Sequence, residues 1–208
     1  MSIKESSKTI GKTQRNWDYD SKISAEELKY LIDISSNAPA KENTNLYKLF
    51  VSTNIEFNTM IQDWAYNTGT QEDKVMMMKT RNAQVAAPLL MMYIVADPDH
   101  KDVGLIDACF SVGVAAGATA LASAEIGYQT GFCSCIHISG LIEHMNNKFP
   151  GKVMNKFWTD QDIVQILCLG IGKKNPNASS RSQIVKDGKV KFSTGSKSKI
   201  KPTVLVYK

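Results

Sequence analysis

The fold is decided by Leu89-Leu90-Met91-Met92-Tyr93-Ile94-Val95-Ala96, an uninterrupted apolar stretch that directly follows Pro88. A run of this length and composition predicts a β-strand that other layers of the protein cover on both faces. Working outward, residues 47–53, 128–136 and 163–171 predict three more strands. Residues 203–207 predict a last short strand near the end of the sequence. We therefore expect the apolar strand to be buried between two layers.

Helices are expected between these strands. Ser24 and Glu27 have the spacing of a capping box, which predicts a helix that starts at residue 25 and ends before Pro39. Apolar residues recur at helical intervals in residues 57–64, and Ser139 is expected to cap a helix that follows it. Residues 107–127 predict a helix with one face of very small side chains, which should pack closely against another helix.

The composition is that of one globular domain. The chain has 208 residues, of which 43% are apolar and 22% charged, so disordered, collagen-like and coiled-coil proteins are excluded. The longest uncharged run, residues 108–124, is shorter than the ~20 mainly apolar residues of a membrane span, and we expect a buried helix instead. The first residues lack the apolar stretch of a signal peptide, so we expect a cytoplasmic protein whose four cysteines are thiols.

The net charge of +5 is unevenly distributed. From Lys173 onward there are ten Lys or Arg residues and one acid, Asp187, so this tail carries +9 and the rest of the chain −4. Such a tail could bind nucleic acid, bind a partner, or be a solvated end. The tail has only Phe192 and Tyr207 for stacking on bases, so we do not expect nucleic-acid binding. Its strand at residues 203–207 could instead pair with an edge of a second subunit.

Most motifs that carry chemistry are absent. The sequence contains no GxGxxG after a strand, no GxxxxGK[ST], no HExxH and no GxSxG. Cys133, Cys135 and His137 alternate, so on a strand they would share one face and could offer three ligands to a metal ion. A structural zinc site needs a fourth ligand and normally shows CxxC pairs, so buried side chains are the better interpretation and no metal is expected.

The segment Lys12-Thr13-Gln14-Arg15-Asn16-Trp17 combines two cations with a hydroxyl group. A phosphate dianion favours this combination, because the cations attract its charge and the hydroxyl adds a directional donor. Solvated surface charge is the alternative, since clusters of Lys and Arg are common on protein surfaces.

Five segments, taken in order, resemble the motifs of the nitroreductase family of flavin enzymes. They are residues 12–17 (KTQRNW), residues 37–51 (NAPAKENTNLYKLFV), residues 87–90 (APLL), the small-residue helix that ends in EIGY at residues 125–128, and residues 167–172 (LCLGIG). Their order and spacing hold over about residues 10–182. The family's leading arginine falls on Gly11, its Ser-Ser pair on Ala40 and Lys41, and its Gln-Pro-Trp on residues 45–47.

The resemblance implies an α+β fold, with a mainly antiparallel central sheet flanked by helices. It also implies a homodimer with two FMN sites at the subunit interface, in which the C-terminal strand joins the sheet of the partner. Residues 1–182 would then form the FMN-binding domain and residues 183–208 a basic arm of the same dimeric fold. The small-residue helix and the isolated last strand agree with a dimer.

The implied activity is that of an FMN-dependent oxidoreductase. Hydride would pass from NAD(P)H to flavin N5 and the electrons onward to a nitro compound, a quinone or a related acceptor. No side chain need act as nucleophile or base, because the protein supplies position and electrostatics while the cofactor makes the bonds. No catalytic side chain is therefore expected. The alternative on the same fold is a non-catalytic protein that stores or senses flavin.

The resemblance also implies which residues contact the cofactor. Four would hold the FMN phosphate: Lys12, Thr13, Arg15 and Arg181. Three would lie along the isoalloxazine ring or the ribityl chain: Ala40, Lys41 and Asn43.

The remaining implied contacts surround the flavin ring. Lys79 and Asn82 would lie near the pyrimidine edge, with Arg81 as the substitute if the register shifts by one. The ring-covering segment, which would offer a backbone N–H to N5, is formed by Phe132, Cys133 and Ser134. A cation near N1 and O2 raises the reduction potential, a role for Lys41 or Lys79.

Overall fold

The computed structural model describes residues 2–11, 13–43, 46–64, 83–96, 104–134, 136, 138–150, 163–177, 182–186 and 189–193. The expected strand at residues 203–207 lies outside them and stays a prediction. The division of the chain into two parts at residue 182 also stays a prediction.

An antiparallel sheet of four strands forms the centre of the protein. The strands are β1 (Lys48–Ser52), β2 (Leu89–Ala96), β3 (Gln129–Cys133) and β4 (Ile163–Gly172), arranged in the order β1-β2-β4-β3. Each of these strands was expected from its apolar pattern. The apolar strand is β2, and its side chains from Leu89 to Val95 are buried, which confirms that it is covered on both faces.

Five helices surround this sheet within the described ranges. They are α1 (Ile3–Ile10), α2 (Ala25–Ser36), α3 (Ile55–Trp64), α4 (Leu105–Glu125) and α5 (Leu141–Lys148). A 3-10 turn, Lys41–Asn43, lies between α2 and β1. The sheet and its helices form the α+β arrangement that was expected.

The two faces of β2 pack into two separate apolar cores, because successive side chains of a strand point to opposite faces. On one face Leu89, Met91 and Tyr93 belong to the core that α2 and α4 cover. On the other face Leu90 and Met92 belong to the core that α3 and α5 cover. The sheet is therefore the middle layer of three.

Helix boundaries follow local capping. Ser24 accepts a hydrogen bond from the backbone of Glu27, and the Glu27 side chain accepts one from the Ser24 backbone, so the expected capping box is present. The cap expected from Ser139 is wrong. Gly140 occupies the N-cap of α5 with a φ of 74°, and no side chain caps this helix. A left-handed backbone of this kind favours glycine.

Helix α4 begins two residues earlier than the small-residue pattern indicated. With 21 residues it is long and apolar enough, by length and composition alone, to cross a membrane. The buried central helix of a globular protein meets the same criteria, and ten residues of α4 are buried in this fold. Its small residues divide between two environments: Ala116 and Ala120 are buried in the core that faces α2, whereas a Cβ at Gly113 or Gly117 would meet no atom within 4 Å.

Residues past β4 form a second, two-stranded sheet that the apolar pattern did not indicate. It pairs β5 (Ser182–Lys186) with β6 (Lys189–Ser193) in antiparallel register. In sequence, Asp187 and Gly188 stand between the two strands, and Asp-Gly is a strong hairpin signal. Two segments of the basic tail, Ser182–Lys186 and Lys189–Ser193, are therefore paired strands.

Candidate functional site

The N-terminal segment that carries the candidate phosphate ligands runs along the β3 edge of the main sheet. The Gln14 N–H donates to the Thr130 carbonyl over 2.9 Å, and Trp17 forms an isolated antiparallel bridge with Lys174. The buried Gln14 side chain accepts hydrogen bonds from the backbone N–H groups of Arg15 at 2.9 Å and Asn16 at 3.2 Å. These bonds fix the backbone on both sides of Arg15.

A glycine brings this segment close to a second one. A Cβ built at Gly131 would lie 2.5 Å from the Gln84 Cβ, 2.6 Å from the Gln14 carbonyl oxygen and 3.3 Å from the Thr13 Cγ2. These distances are shorter than side-chain contacts allow, so any larger residue would push the segments apart. The absence of a side chain at Gly131 thus lets Thr13 and Gln84 meet above β3.

Arg15 is held by an amide rather than by a carboxylate. Its Nε donates to the Gln84 Oε1 over 3.2 Å, and the Gln84 Nε2 donates to the Phe132 carbonyl over 3.2 Å. Arg15 is half-buried, and across the described part of the chain no carboxylate lies within 4.0 Å of its guanidinium. A half-buried cation held by neutral groups keeps its full charge available to an anion.

The expected ring-covering residues lie next to Arg15. Phe132 is 36% exposed, Cys133 is buried and Ser134 is exposed, so the end of β3 offers both an aromatic surface and backbone groups. We call Thr13, Arg15, Phe132, Cys133 and Ser134 the Arg15 group. The structure brings these five expected site residues together, with Gln84 as the link between Arg15 and Phe132.

The cysteine of this group faces another cysteine. Cys133 and Cys168 are opposite each other in the β3–β4 register, and both are buried thiols outside any disulfide. Burial raises the pKa of the Cys168 thiol well above its ordinary value, and the neighbouring Cys133 adds to the rise. A thiol that stays protonated is a poor nucleophile and a poor metal ligand.

The metal hypothesis rests on residues that the structure only partly covers. Cys135 and His137 lie outside the described residues. Within those ranges there is no group of three His, Cys, Asp or Glu side chains that could hold a metal ion.

The expected ribityl and ring contacts lie on the turn between α2 and β1. The Lys41–Asn43 turn contains two residues with positive φ, Glu42 and Asn43, both at 54°. The Lys41 Nζ donates to the Asp107 Oδ2 over 3.0 Å, which ties the turn to the first turn of α4. This hydrogen bond and the charge of Lys41 lower the pKa of Asp107.

We call Ala40, Lys41 and Asn43 the Lys41 group. The other expected ligands are outside the described ranges, so their placement stays a prediction: Lys12, Lys79, Asn82 and Arg181.

An apolar surface begins next to the Lys41 group. Ile106 is 70% exposed and Phe110 69%, and Leu105 and Val114 on the same helix are also exposed. Together with the open positions at Gly113 and Gly117, these residues form what we call the α4 face. Large exposed apolar side chains clustered on one helix mark an interaction surface.

Two buried glutamines of the site could not be found from motifs. The sequence motif assigns no role to Gln14, which stands between Thr13 and Arg15, and Gln84 is only a polar residue before the Ala87-Pro88 motif. Their roles depend on hydrogen bonds between segments far apart in sequence. The one available signal in the sequence was the position of Gln84 shortly before the start of β2.

Among the described residues no carboxylate pairs with the half-buried Arg15, which lies near an exposed aromatic residue at a sheet end, so this part of the α+β fold is a candidate anion-binding site. The sequence of residues 12–171 matches the family model described as "Nitroreductase family", and the chain belongs to the nitroreductase family. Members of this family are FMN-dependent oxidoreductases. A comparison of the sequence with curated proteins finds no match.

Solved structures support the fold. A nitroreductase with bound FMN from Bacteroides fragilis is 16% identical, with a TM-score of 0.63 over 92% of this chain and 98% of that chain. A BluB-like flavoprotein from Clostridium difficile is 14% identical, with a TM-score of 0.61 over 89% and 95%. A mutant form of the FMN- and NADPH-dependent nitroreductase NfnB from Sphigopyxis sp. strain HMH is 14% identical, with a TM-score of 0.60 over 86% and 91%.

Proposed function

We propose that this protein binds FMN and uses it to oxidise NAD(P)H and reduce a small-molecule acceptor such as a nitro compound or a quinone. The observation that carries the proposal is the Arg15 guanidinium, half-buried and paired with the Gln84 amide beside the end of β3. A cation in that setting fits the phosphate of a mononucleotide better than it fits solvent. Family membership supplies the class of cofactor.

Arg15 and Thr13 would hold the phosphate end of FMN. The guanidinium offers donors in a fixed fork, and the hydroxyl of Thr13 adds another donor on the same short segment. We further propose that Lys12 and Arg181 complete this cluster. The backbone of the segment is already fixed by Gln14, so little conformational freedom would be lost when the phosphate binds.

Phe132 and the residues after it would cover the ring. The exposed aromatic side chain supplies an apolar surface, and the backbone beyond β3 supplies donors towards N5. Bound FMN supplies the hydride chemistry. The chain's own groups would bind, orient and polarise the flavin, and we propose no role in the reaction for the Cys133 thiol.

A second copy of the chain would bring in the Lys41 group. That group lies at the start of α4, beside the α4 face, so a dimer through this face would place the Lys41 group of one copy at the boundary between copies. The outer edge of β1 has no partner strand among the described residues and could accept residues 203–207 of a second copy. Each flavin site would then combine the Arg15 group of one copy with the Lys41 group of the other.

The electron donor and the electron acceptor are proposed from the family and from similar structures rather than from side chains of this chain. NfnB, one of the similar structures, is an NADPH-dependent nitroreductase, and this supports a nicotinamide donor for this chain. We also propose that the protein works in the cytoplasm, where cysteines are kept as thiols. We propose no nucleic-acid or membrane partner.

The flavin proposal is tested by absorption spectra and titration. Purified protein should be yellow or take up added FMN. Arg15→Ala should weaken FMN binding by roughly 10- to 150-fold, since hydrogen bonds to charged groups contribute about 1.5–3 kcal/mol. Riboflavin, which lacks the phosphate, should bind both proteins alike. Lys22→Ala, which removes an exposed cation that belongs to neither the Arg15 group nor the Lys41 group, is the control. Equal FMN affinity of the Arg15 variant would reject the phosphate assignment.

The dimer proposal is tested by sedimentation. Phe110→Lys should yield monomers that retain their secondary structure and lose flavin, because a charge would be buried in the α4 face. Ile3→Lys is the matched control, since Ile3 is 80% exposed on α1. Dimers of unchanged stability in the Phe110 variant would show that copies associate through another surface.

Turnover is separated from simple storage by stopped-flow mixing with NADH and with NADPH. Rapid bleaching of the flavin band by either one identifies an oxidoreductase. A stable yellow complex that neither nicotinamide bleaches identifies the storage or sensor alternative.

A further inference from the structure

Gln84 connects the two parts of the Arg15 group. Its Oε1 accepts from the Arg15 Nε, and its Nε2 donates to the Phe132 carbonyl, each over 3.2 Å. The two bonds use the amide in one orientation, because its oxygen can only accept and its nitrogen can only donate. One side chain therefore sets the position of the candidate phosphate ligand relative to the candidate ring-covering strand end.

The backbone around Gln84 is held on several sides. Its Cβ faces Gly131, and its carbonyl oxygen lies 1.8 Å from the place that a Cβ at Gly170 would occupy, so it fits into a notch over two strands. The neighbouring carbonyls are also bound: the Trp17 Nε1 donates to Ala83 over 2.8 Å, and the Tyr19 hydroxyl donates to Ala86 over 2.9 Å.

We propose that Gln84 is a positioning residue of the flavin site, which fixes the Arg15 guanidinium and the Phe132 backbone in one register. This inference rests on the proposed function for the identity of the ligand. Gln84 is 5% exposed and buried in its notch, so its amide cannot turn to solvent without leaving a polar group unpaired. Its neutrality matters as much as its geometry. A glutamate at this place would pair with Arg15 and cancel the charge that a phosphate needs.

Two substitutions separate charge from geometry. Gln84→Glu preserves the shape and can still accept from Arg15, but it neutralises the guanidinium and repels a phosphate. Gln84→Met fills a similar volume and removes both hydrogen bonds. Gln165→Glu makes the same chemical change at a half-buried glutamine of β4 whose Nε2 bonds to the Ile166 carbonyl, and it is the control.

The assay compares FMN with riboflavin in the full-length protein. Gln84→Glu also loses the bond to the Phe132 carbonyl, so it should weaken riboflavin to some extent, as Gln84→Met does. It should weaken FMN by about 10-fold or more beyond its effect on riboflavin, because a charge-assisted contact is lost only where the phosphate is present. Gln84→Met should weaken both flavins and shift the bound flavin's absorption band, since the strand end at Phe132 is released. The Gln165 variant should match the wild type for both ligands.

The outcomes distinguish this inference from the proposed function. If Gln84→Glu changes FMN and riboflavin affinity by equal factors, or changes neither, Gln84 does not position Arg15 and the inference is wrong. If the wild-type protein binds neither flavin, the proposed function fails, and inorganic phosphate becomes the probe. The positioning role would still be supported if phosphate raises the melting temperature of the wild type and of Gln165→Glu but not that of Gln84→Glu. It would be overturned if phosphate raises the melting temperature of Gln84→Glu and Gln165→Glu equally, or does not raise that of the wild type.

Discussion

Replacing Gly170 by alanine tests how closely the segment that carries Gln84 is packed on the sheet. A Cβ at residue 170 would lie 1.8 Å from the Gln84 carbonyl oxygen and 2.9 Å from the Ala87 Cβ. A carbon and an oxygen in contact are at least ~3.3 Å apart, so the two groups must separate by about 1.5 Å. Neither neighbour can rotate out of the way, because the Gln84 carbonyl is part of the backbone and the Ala87 side chain is a single methyl group. The strain must move the Gln84 segment or the strand.

The expected loss of stability lies at the upper end of the range observed when a methyl group is added to a well-packed site. Overpacking of a buried site destabilises by about 1–3 kcal/mol and sometimes more, and here a movement of 83–87 would also disturb the bonds of Gln84 to Arg15 and Phe132. We expect Gly170→Ala to lower the free energy of unfolding by about 3 kcal/mol. With a urea slope of ~2–3 kcal/mol per molar, the midpoint would fall by about 1 M or more.

Urea unfolding followed by circular dichroism measures this change. Gly113→Ala is the matched control, with both substitutions made in the Phe110→Lys protein so that no second copy covers the α4 face. A Cβ at Gly113 meets nothing within 4 Å of the same chain and lies in the middle of α4, where alanine is favoured over glycine by ~0.5–1 kcal/mol. The same methyl group should therefore destabilise at one position and stabilise at the other. A Gly170→Ala protein within about 0.5 kcal/mol of its Phe110→Lys parent would refute the reasoning from the notch.

Two further predictions concern titrating groups. Burial and the hydrogen bond to Glu27 raise the pKa of Tyr128 to about 12, so its stabilising contribution should be complete below pH 10 and lost as the pH rises through 12. Tyr128→Phe should cost about 1 kcal/mol at pH 8, measured by urea unfolding, and this difference should shrink above pH 11. Because the Lys41 hydrogen bond lowers the pKa of Asp107, the tie between turn and helix should persist above pH 3.8 and break as the pH falls below it. Carboxyl NMR should show the Asp107 pKa returning toward 3.8 in Lys41→Met, and an unchanged value would contradict the ion pair.

Local sequence patterns predicted most of the fold. The apolar run at β2, the capping box at Ser24 and the helical spacing in α3 each depend on neighbours in sequence, and each element was found where the pattern placed it. Ser139 failed as a cap because Gly140 adopts a left-handed backbone and takes that position instead. Helix α1 was missed, since only Ile3 and Ile10 mark it among polar residues.

The candidate site was predictable only where a motif names its residues. Thr13 and Arg15 were indicated by the cations and hydroxyl of their segment as well as by the family resemblance, and Phe132 by the resemblance alone. The structure brings these three residues close together. Gln84 could not be found this way, because its role arises where three segments meet over two glycines. Close approach of that kind leaves no periodic signal in a sequence.

The proposed assembly of each flavin site from the Arg15 group of one copy and the Lys41 group of the other has a genetic consequence. If the two groups of one chain serve different cofactor sites, a damaged copy can be rescued by a differently damaged one. Coexpressed Arg15→Ala and Lys41→Glu chains would assort at random, and every mixed pair would hold one site built wholly from undamaged halves. About a quarter of all sites would thus regain function from two inactive parents.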